Sequence, residues 1–324
     1  MGNKKAVLVT GGAGFIGSHL CEKLVAKGDK VFVLDNLSTG SMGNIRHLLV
    51  RKNFVFKNGS VLSGSLVRKM AASVDEVYHL AAAVGVQTIM DKPLDSLILN
   101  TKGTENILAA AEERKTPVML VSTSEIYGKN TKLPFREEDD RVYGSTYNYR
   151  WGYAFSKGID EFLGLAYFRE KGVPVRIVRL FNVIGPRQTG EYGMVVPRFV
   201  RQSLVGAQIT VHGTGRQTRS FADVDDVTSA LIKIMHHPKS RGEIYNLGSD
   251  EEISINNLAK KVLKLTGSSS KVSTIPHSLV YGKGFEDMQR RRPDISKVAK
   301  LIQYAPKHSL DDTIKRIIAY EQKR

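Results

Sequence analysis

Tyr153 and Lys157, in "WGYAFSKGIDEF", stand four residues apart, so on a helix they project from one face. A free phenol, with a pKa near ~10, is a poor base at neutral pH. An ammonium group beside it favours the phenolate and lowers that value. Such a pair can take the proton of a hydroxyl while the adjoining C–H bond gives up a hydride. A hydride needs an acceptor, and the chain carries a place for one. In "VLVTGGAGFIGSHL", Gly11, Gly14 and Gly17 fall at a spacing of three between an apolar run and a helix-like stretch. Gly11 supplies the φ freedom of a tight turn. Gly14 lacks the Cβ that would hold a pyrophosphate off the backbone, and Gly17 lets the helix pack close to the strand. The free N–H groups and partial positive charge of the helix start suit phosphate. Asp35 ends the next strand-like run, placed to accept hydrogen bonds from the adenosine ribose. Its charge repels a 2′-phosphate, so the pattern predicts NAD rather than NADP.

These residues need a scaffold. Short β-branched runs at 6–10, 30–35, 54–58, 76–81, 118–123 and 175–182 read as strands, and 15–27, 62–72, 95–114 and 152–171 as helices. Their alternation predicts an α/β fold, a Rossmann-like, doubly wound parallel sheet with helices on both faces. The strands are nearly all-apolar rather than alternating, as strands covered on both faces are. After about residue 182 the pattern turns irregular, with Gly-, Pro- and Arg-rich loops. "FADVDDVTSALIKIMHHP" then reads as a helix, "EIYNLG" as a strand, and helices open at Ser254 and Ser309. We expect residues 1–181, with 223–249 returning to the sheet, to form the dinucleotide-binding part. Residues 182–222 and 250–324 form a smaller C-terminal α/β substrate-binding part.

Composition narrows the classes. With 41% hydrophobic and 25% charged residues, the 324-residue chain has the make-up of a globular protein. No apolar run is long enough for a membrane span, and no signal peptide is read at the start. The single Cys21 forbids an internal disulfide and fits a reducing cytoplasm. The formal charge of +16 is spread over both halves. No helix-turn-helix, zinc-finger or aromatic RNA-binding pattern accompanies it, so nucleic acid is not an expected partner, nor is a metal.

The chain resembles the extended short-chain dehydrogenase/reductases of the nucleotide-sugar epimerase, dehydratase and decarboxylase group. The resemblance rests on "TGGAGFIGSHL", "LDNLSTG", "VYHLAAAVGV", "NTKGTENILAAA", "VSTSEIYG", "YAFSK", "RLFNVIGPRQ", "VHGTGRQTRSFADVDD" and "RRRPDISK", which run through nearly the whole chain. It implies NAD in the sheet domain, bound by Gly11, Gly14, Phe15, Ile16, Gly17, Asp35, Asn36, Ser60, Val61, Leu80, Ala81 and Ala82 with Tyr153 and Lys157. It implies a nucleoside-diphosphate sugar, UDP-linked, in the C-terminal part. Thr123 or Ser124 would hydrogen-bond the sugar O4 and relay its proton. Asn182 and Arg187 would lie by the diphosphate or sugar, and Arg219 would grip the diphosphate. A homodimer through the helices at about 95–114 and 152–171 is implied as well.

Every member of the group first oxidises C4; the fate of the ketone differs. Glu125, after the Thr-Ser pair, resembles the pattern of UDP-glucuronate decarboxylases and GDP-mannose dehydratases. Epimerases usually carry a small residue there. Arg291, in "RRRPDISK", resembles the arginine of UDP-glucuronate decarboxylases that meets the sugar carboxylate or the diphosphate. Against this, "AAAVGVQTIMDKP" lacks the Pro-rich insert of those decarboxylases and looks more epimerase-like. Ser60 replaces an Asp often seen near the adenine, and His212 stands where tyrosine is commoner. UDP-glucuronate decarboxylation is the first expectation, UDP-sugar 4-epimerisation the second and 4,6-dehydration the third. A catalytically silent dinucleotide-binding scaffold is the non-enzymatic alternative.

Overall fold

Nearly unbroken runs of Val, Leu, Ile and Phe can be satisfied only where both faces of a strand are covered, and the computed structural model places them so. It describes residues 4–83, 85–190, 193–281 and 286–324. The first half alternates β1 (Ala6–Thr10), α1 (Phe15–Lys27), β2 (Lys30–Asp35), β3 (Phe54–Asn58), α2 (Gly64–Ala71), β4 (Glu76–His79), α3 (Val86–Asp91), α4 (Pro93–Glu112), β5 (Val118–Thr123), α5 (Arg150–Lys171) and β6 (Val175–Leu180). The chain then runs through β7 (Val183–Ile184), α6 (Val195–Leu204), β8 (Ile209–His212), β9 (Thr218–Ser220) and β10 (Ala222–Asp223). It continues through α7 (Val224–His236), β11 (Ile244–Leu247), β12 (Glu252–Ser254), α8 (Ile255–Thr266) and β13 (Val272–Ile275). It ends in α9 (His277–Tyr281), α10 (Ser296–Ile302) and α11 (Leu310–Glu321).

Seven strands form one parallel sheet in the order β11-β6-β5-β4-β1-β2-β3. The order reverses at β1, whose neighbours are β2 and β4, and the carboxyl ends of strands at such a switch point open a crevice for ligands. Leu20 and Leu24 of α1 join Leu231 and Ile234 of α7 in the core on one face. Val67 of α2 and Ile107 and Leu108 of α4 build the core on the other. β11 pairs with β6 at the edge of this sheet, and α7 packs on its core.

A third core, with Val196, Phe199, Leu258, Val262, Ile314 and Ile317, joins α6, α8 and α11 beside β8. Ser254 and Ser309 accept from the backbone N–H groups of Asn257 and Asp312 and so open α8 and α11. One stretch departs from expectation. Residues 296–304 do not join this third core; Val298 and Tyr304 close the sheet core instead, and the Tyr304 hydroxyl donates to the Gly248 carbonyl at 3.0 Å. The apolar flank of the edge strand β11 needs a cover, and α10 provides it. Val84, in the loop whose brevity looks epimerase-like, lies outside the described residues. Among the described residues, no helix is long and apolar enough to cross a membrane.

Candidate active site

One cleft runs from the β1–α1 turn, past the ends of β4, β5 and β6, to α9. At its sheet end Gly11 has φ +71°, and a Cβ there would sit 2.8 Å from the Ala81 nitrogen. At Gly17 a Cβ would lie 2.2 Å from the Gly11 carbonyl oxygen, so only glycine lets α1 start this close to β1. Gly14 precedes α1 with no side chain capping the first turn, which leaves early N–H groups of that turn open to an anion. The Asp35 carboxylate accepts from the backbone N–H of Ala13 at 2.9 Å and of Leu37 at 2.8 Å. Burial pushes its pKa up, and those two bonds oppose the shift. Each oxygen still has a lone pair for a ribose hydroxyl. Asn36, Ser60, Val61, Leu80, Ala81, Ala82, Phe15 and Ile16 also line this end. A glycine cradle, an open helix start and a ribose-reading carboxylate on one wall fit an adenine dinucleotide.

Thr10 ties the floor together. Its hydroxyl pairs with His79 Nδ1 at 2.7 Å and accepts from the Ala81 N–H at 3.2 Å. His79 is fully buried; burial, then the Lys157 charge, pulls its pKa down to about 3, so it is neutral.

At the centre of the cleft, Thr123, Ser124, Glu125, Tyr153 and Asn182 share the wall with Arg219 and Arg291. The Thr123 hydroxyl accepts from the Glu125 N–H at 3.2 Å and is hydrogen-bonded to the Tyr153 phenol. The sequence predicts that Lys157 makes that phenol acidic. The structure gives the ammonium another partner: Lys157 Nζ lies 2.8 Å from Asp160 Oδ2, and both side chains are almost fully buried. Burial above all, then the charges of Glu125 and Asp160, push the Tyr153 pKa up, and Thr123 and Arg291 only partly offset this. Asp160, three residues along the same helix, pairs with the ammonium.

Glu125 is the most strongly held acid of the site. Arg150 Nη2 lies 2.9 Å from its Oε2, and Arg291 Nη1 donates to its Oε1. Burial works against its ionisation, but the charges of Arg150, then Arg291 and Arg219, prevail and hold the carboxyl at about 2. Arg291 also donates to the Asn182 side-chain oxygen. Arg219 Nη2 lies 2.8 Å from Asp287 Oδ2.

Arg187 pairs with α1 in this structure. It turns away from the cleft, with Nη1 3.1 Å from the Ser18 hydroxyl and Nη2 2.5 Å from Glu22 on α1. The acid on α1 offers it a charge partner, and its neighbours Gln188 and Thr189 face the cleft in its place. Sequence reasoning missed Arg150 and Asp287. It started the helix of Tyr153 at residue 152, two residues late, so Arg150 was not seen to share a helix with the phenol. At the far end His212 Nδ1 meets the Tyr281 hydroxyl at 3.1 Å; burial, then Arg198, draws its pKa down to about 4 and leaves a neutral ring.

Comparison with known proteins bears on this arrangement. Residues 7–248 match the model of the NAD dependent epimerase/dehydratase family. The chain is 43% identical over 318 residues to a UDP-N-acetyl-alpha-D-glucosaminuronate decarboxylase of Bacillus cytotoxicus, covering 98% of each. It is 36% identical to UDP-glucuronic acid decarboxylase 1 of Xenopus tropicalis, covering 99% of this chain and 73% of that one. A crystal structure of UDP-glucuronic acid 4-epimerase from Bacillus cereus, in complex with UDP-glucuronic acid and NAD, superposes with a TM-score of 0.89 at 29% identity, over 98% of this chain and 99% of that one.

Proposed function

The chain belongs to the NAD dependent epimerase/dehydratase family, and from that premise we propose that it decarboxylates a UDP-linked hexuronate, UDP-glucuronate first, after transient oxidation at C4. It is an NAD-dependent enzyme of nucleotide-sugar metabolism. The observation that carries the reading is Glu125, ionised between Arg150 and Arg291, on the wall that presents Tyr153. A sugar carboxylate entering a desolvated site needs cations already in place, and a carboxylate beside C5 serves a proton transfer that plain epimerisation does not require. Decarboxylases of UDP-hexuronates among the relatives, those of Bacillus cytotoxicus and Xenopus tropicalis included, support it.

NAD, held by the Gly11–Gly17 turn and Asp35, would supply the acceptor for the C4 hydride and the means of its return. A positive nicotinamide in the cleft would favour the phenolate; Tyr153 then takes the proton of the C4 hydroxyl, with Thr123 hydrogen-bonded beside it. The C6 carboxylate is then β to a ketone. The C5–C6 bond breaks, its electron pair passes through C5 to the C4 oxygen, and CO2 leaves. Tyr153 and Thr123 donate to that oxygen as it gains charge. We assign to Glu125 the relay of a proton from water to C5, and the diphosphate to Arg219, whose forked donors match phosphate oxygens. Lys157 we assign to the cofactor's ribose hydroxyls as an ammonium donor. The sheet part (1–181 with 223–249) serves the dinucleotide, and 182–222 with 250–324, apart from the α10 stretch, the nucleotide sugar.

The test is incubation with UDP-glucuronate, UDP-N-acetylglucosaminuronate and UDP-glucose, with products read by mass and NMR. Loss of CO2 is expected from a hexuronate. Unchanged mass or loss of water, with no CO2 released, overturns decarboxylation in favour of epimerisation or dehydration. We further propose a homodimer through α4 and α5, on which Leu94, Leu97, Ile98, Phe155, Ile159 and Phe162 are exposed; light scattering reads its mass. A buried free cysteine at position 21 suits a reducing cytoplasm.

A further inference from the structure

We propose that Glu286 is a positioning residue: by accepting a hydrogen bond from the Trp151 indole, it latches residues 286–291 to the start of α5 and so seats Asp287 and Arg291 in the wall of the cleft. This rests on the assignment of that wall to the nucleotide sugar above.

Asp287 and Arg291 both line the cleft, and both come from a segment that is neither helix nor strand. Backbone without a ladder of its own has to be held by its neighbours. The far end of the segment is held through main chain. The Gln289 carbonyl accepts from the Thr218 N–H at 2.9 Å, and the Arg292 carbonyl from the Phe135 N–H at 2.9 Å. The near end is held by side chains of α5. Arg150 Nε donates to the Glu286 carbonyl at 3.3 Å, and Trp151 Nε1 donates to Glu286 Oε2 at 2.9 Å. Lys129 Nζ lies 3.2 Å from the same oxygen.

Of the two contacts to the Glu286 carboxylate, the indole is the one that holds. Lys129 and Glu286 are 44% and 41% exposed, and an ion pair so open to water contributes little. Trp151 is 3% exposed, and a buried indole N–H requires an acceptor. The packing is shaped for the pair. At Gly144 a Cβ would lie 2.5 Å from Trp151 Nε1 and 2.8 Å from Glu286 Oε2, so a larger residue there would part them. Trp151 stands two residues before Tyr153 on α5, and side chains at that spacing do not face each other. The indole therefore acts on the cleft through the segment it holds.

What the latch seats is charge. Asp287 takes Arg219 Nη2 at 2.8 Å, and Arg291 donates to Glu125 and to Asn182. With the near end released, the entering nucleotide sugar has to order these groups itself, and that ordering is subtracted from its affinity. Once the sugar is bound the segment is seated again, so the chemistry proceeds as before. Loss of the latch thus falls on KM and spares kcat.

The experiment uses NAD-loaded protein, wild type, Glu286→Ala and Glu286→Gln. UDP binding is read by calorimetry, and turnover of UDP-glucuronate by product analysis. Acrylamide quenching of Trp151, the only tryptophan of the chain, is read with and without UDP. Glu286→Ala should bind UDP about fivefold more weakly, a hydrogen bond's worth, with NAD within about twofold of wild type. Its KM should rise by a similar factor at near-normal kcat, and its indole should be quenched more readily until UDP is added. Glu286→Gln, which keeps an oxygen for the indole without the charge, should behave as wild type. Unchanged UDP binding and quenching in Glu286→Ala, an equal loss of NAD, a fall in kcat at unchanged KM, or a glutamine variant as weak as the alanine one overturns the proposal. If the wild type binds UDP yet releases no CO2 from UDP-glucuronate, the decarboxylase reading falls, and UDP binding with quenching still decides the latch.

Discussion

Glu125→Gln keeps the shape of the side chain and removes its charge from between two guanidinium groups. The surroundings hold the wild-type carboxyl at about 2 against an ordinary 4.5. At 1.36 kcal/mol per tenfold, they favour the ionised form by about 3 kcal/mol, in line with the roughly 3–5 kcal/mol of breaking a buried pair. The folded value lies below the unfolded one, so this stability is fully present above pH 4.5 and is lost as pH falls through about 2. Glutamine contributes none of it. Urea unfolding at pH 7 should show the variant less stable by about 3 kcal/mol with the slope unchanged, and at pH 3 the gap should shrink to less than half. A gap that is the same at both pH values, or absent at pH 7, would refute the claim that Arg150 and Arg291 hold Glu125 ionised. In turnover, reduced cofactor or a keto sugar should accumulate, because oxidation at C4 does not need Glu125 and the later proton transfer does.

Other outcomes follow from the same geometry. Tyr153→Phe should lower kcat by about 10²–10⁴-fold while NAD still binds; near-normal turnover removes the phenol from the C4 step. Asp35→Asn should weaken NAD by about tenfold or more, a charge-assisted hydrogen bond's worth, and narrow its advantage over NADP. Calorimetry with both cofactors reads this, and unchanged discrimination shows that Asp35 does not read the ribose. Asp160→Asn removes a negative charge that disfavours the phenolate, so the ionisation of Tyr153 in the pH profile of kcat/KM should move to lower pH. A profile that stays put, or moves up, shows that the Lys157–Asp160 pair does not govern the phenol.

Much of the fold was legible because it is written in local rhythm. The seven predicted helices and the seven predicted strands form at or within a few residues of the expected places, since apolar spacing and glycine position act over one or two turns of chain. The domain outline was legible only in part. Nothing local marks α10 as the cover of β11; its partners are Gly248 and the sheet core, which the chain reaches through three dimensions.

The candidate site divides along the same line. Sequence alone determined the glycine cradle, the acid at the end of β2 and the phenol on α5, because each depends on spacing within one element or across one turn. Only the tertiary structure decided which charge meets which. Glu125 lies 25 residues from Arg150 and 166 from Arg291, and Arg187 went to Glu22 although its sequence neighbourhood pointed to the ligand. Lys157 pairs with Asp160 on its own helix, both side chains buried. An ion in a low-dielectric interior takes the nearest opposite charge in space, and distance in space is the quantity that distance along the chain does not specify.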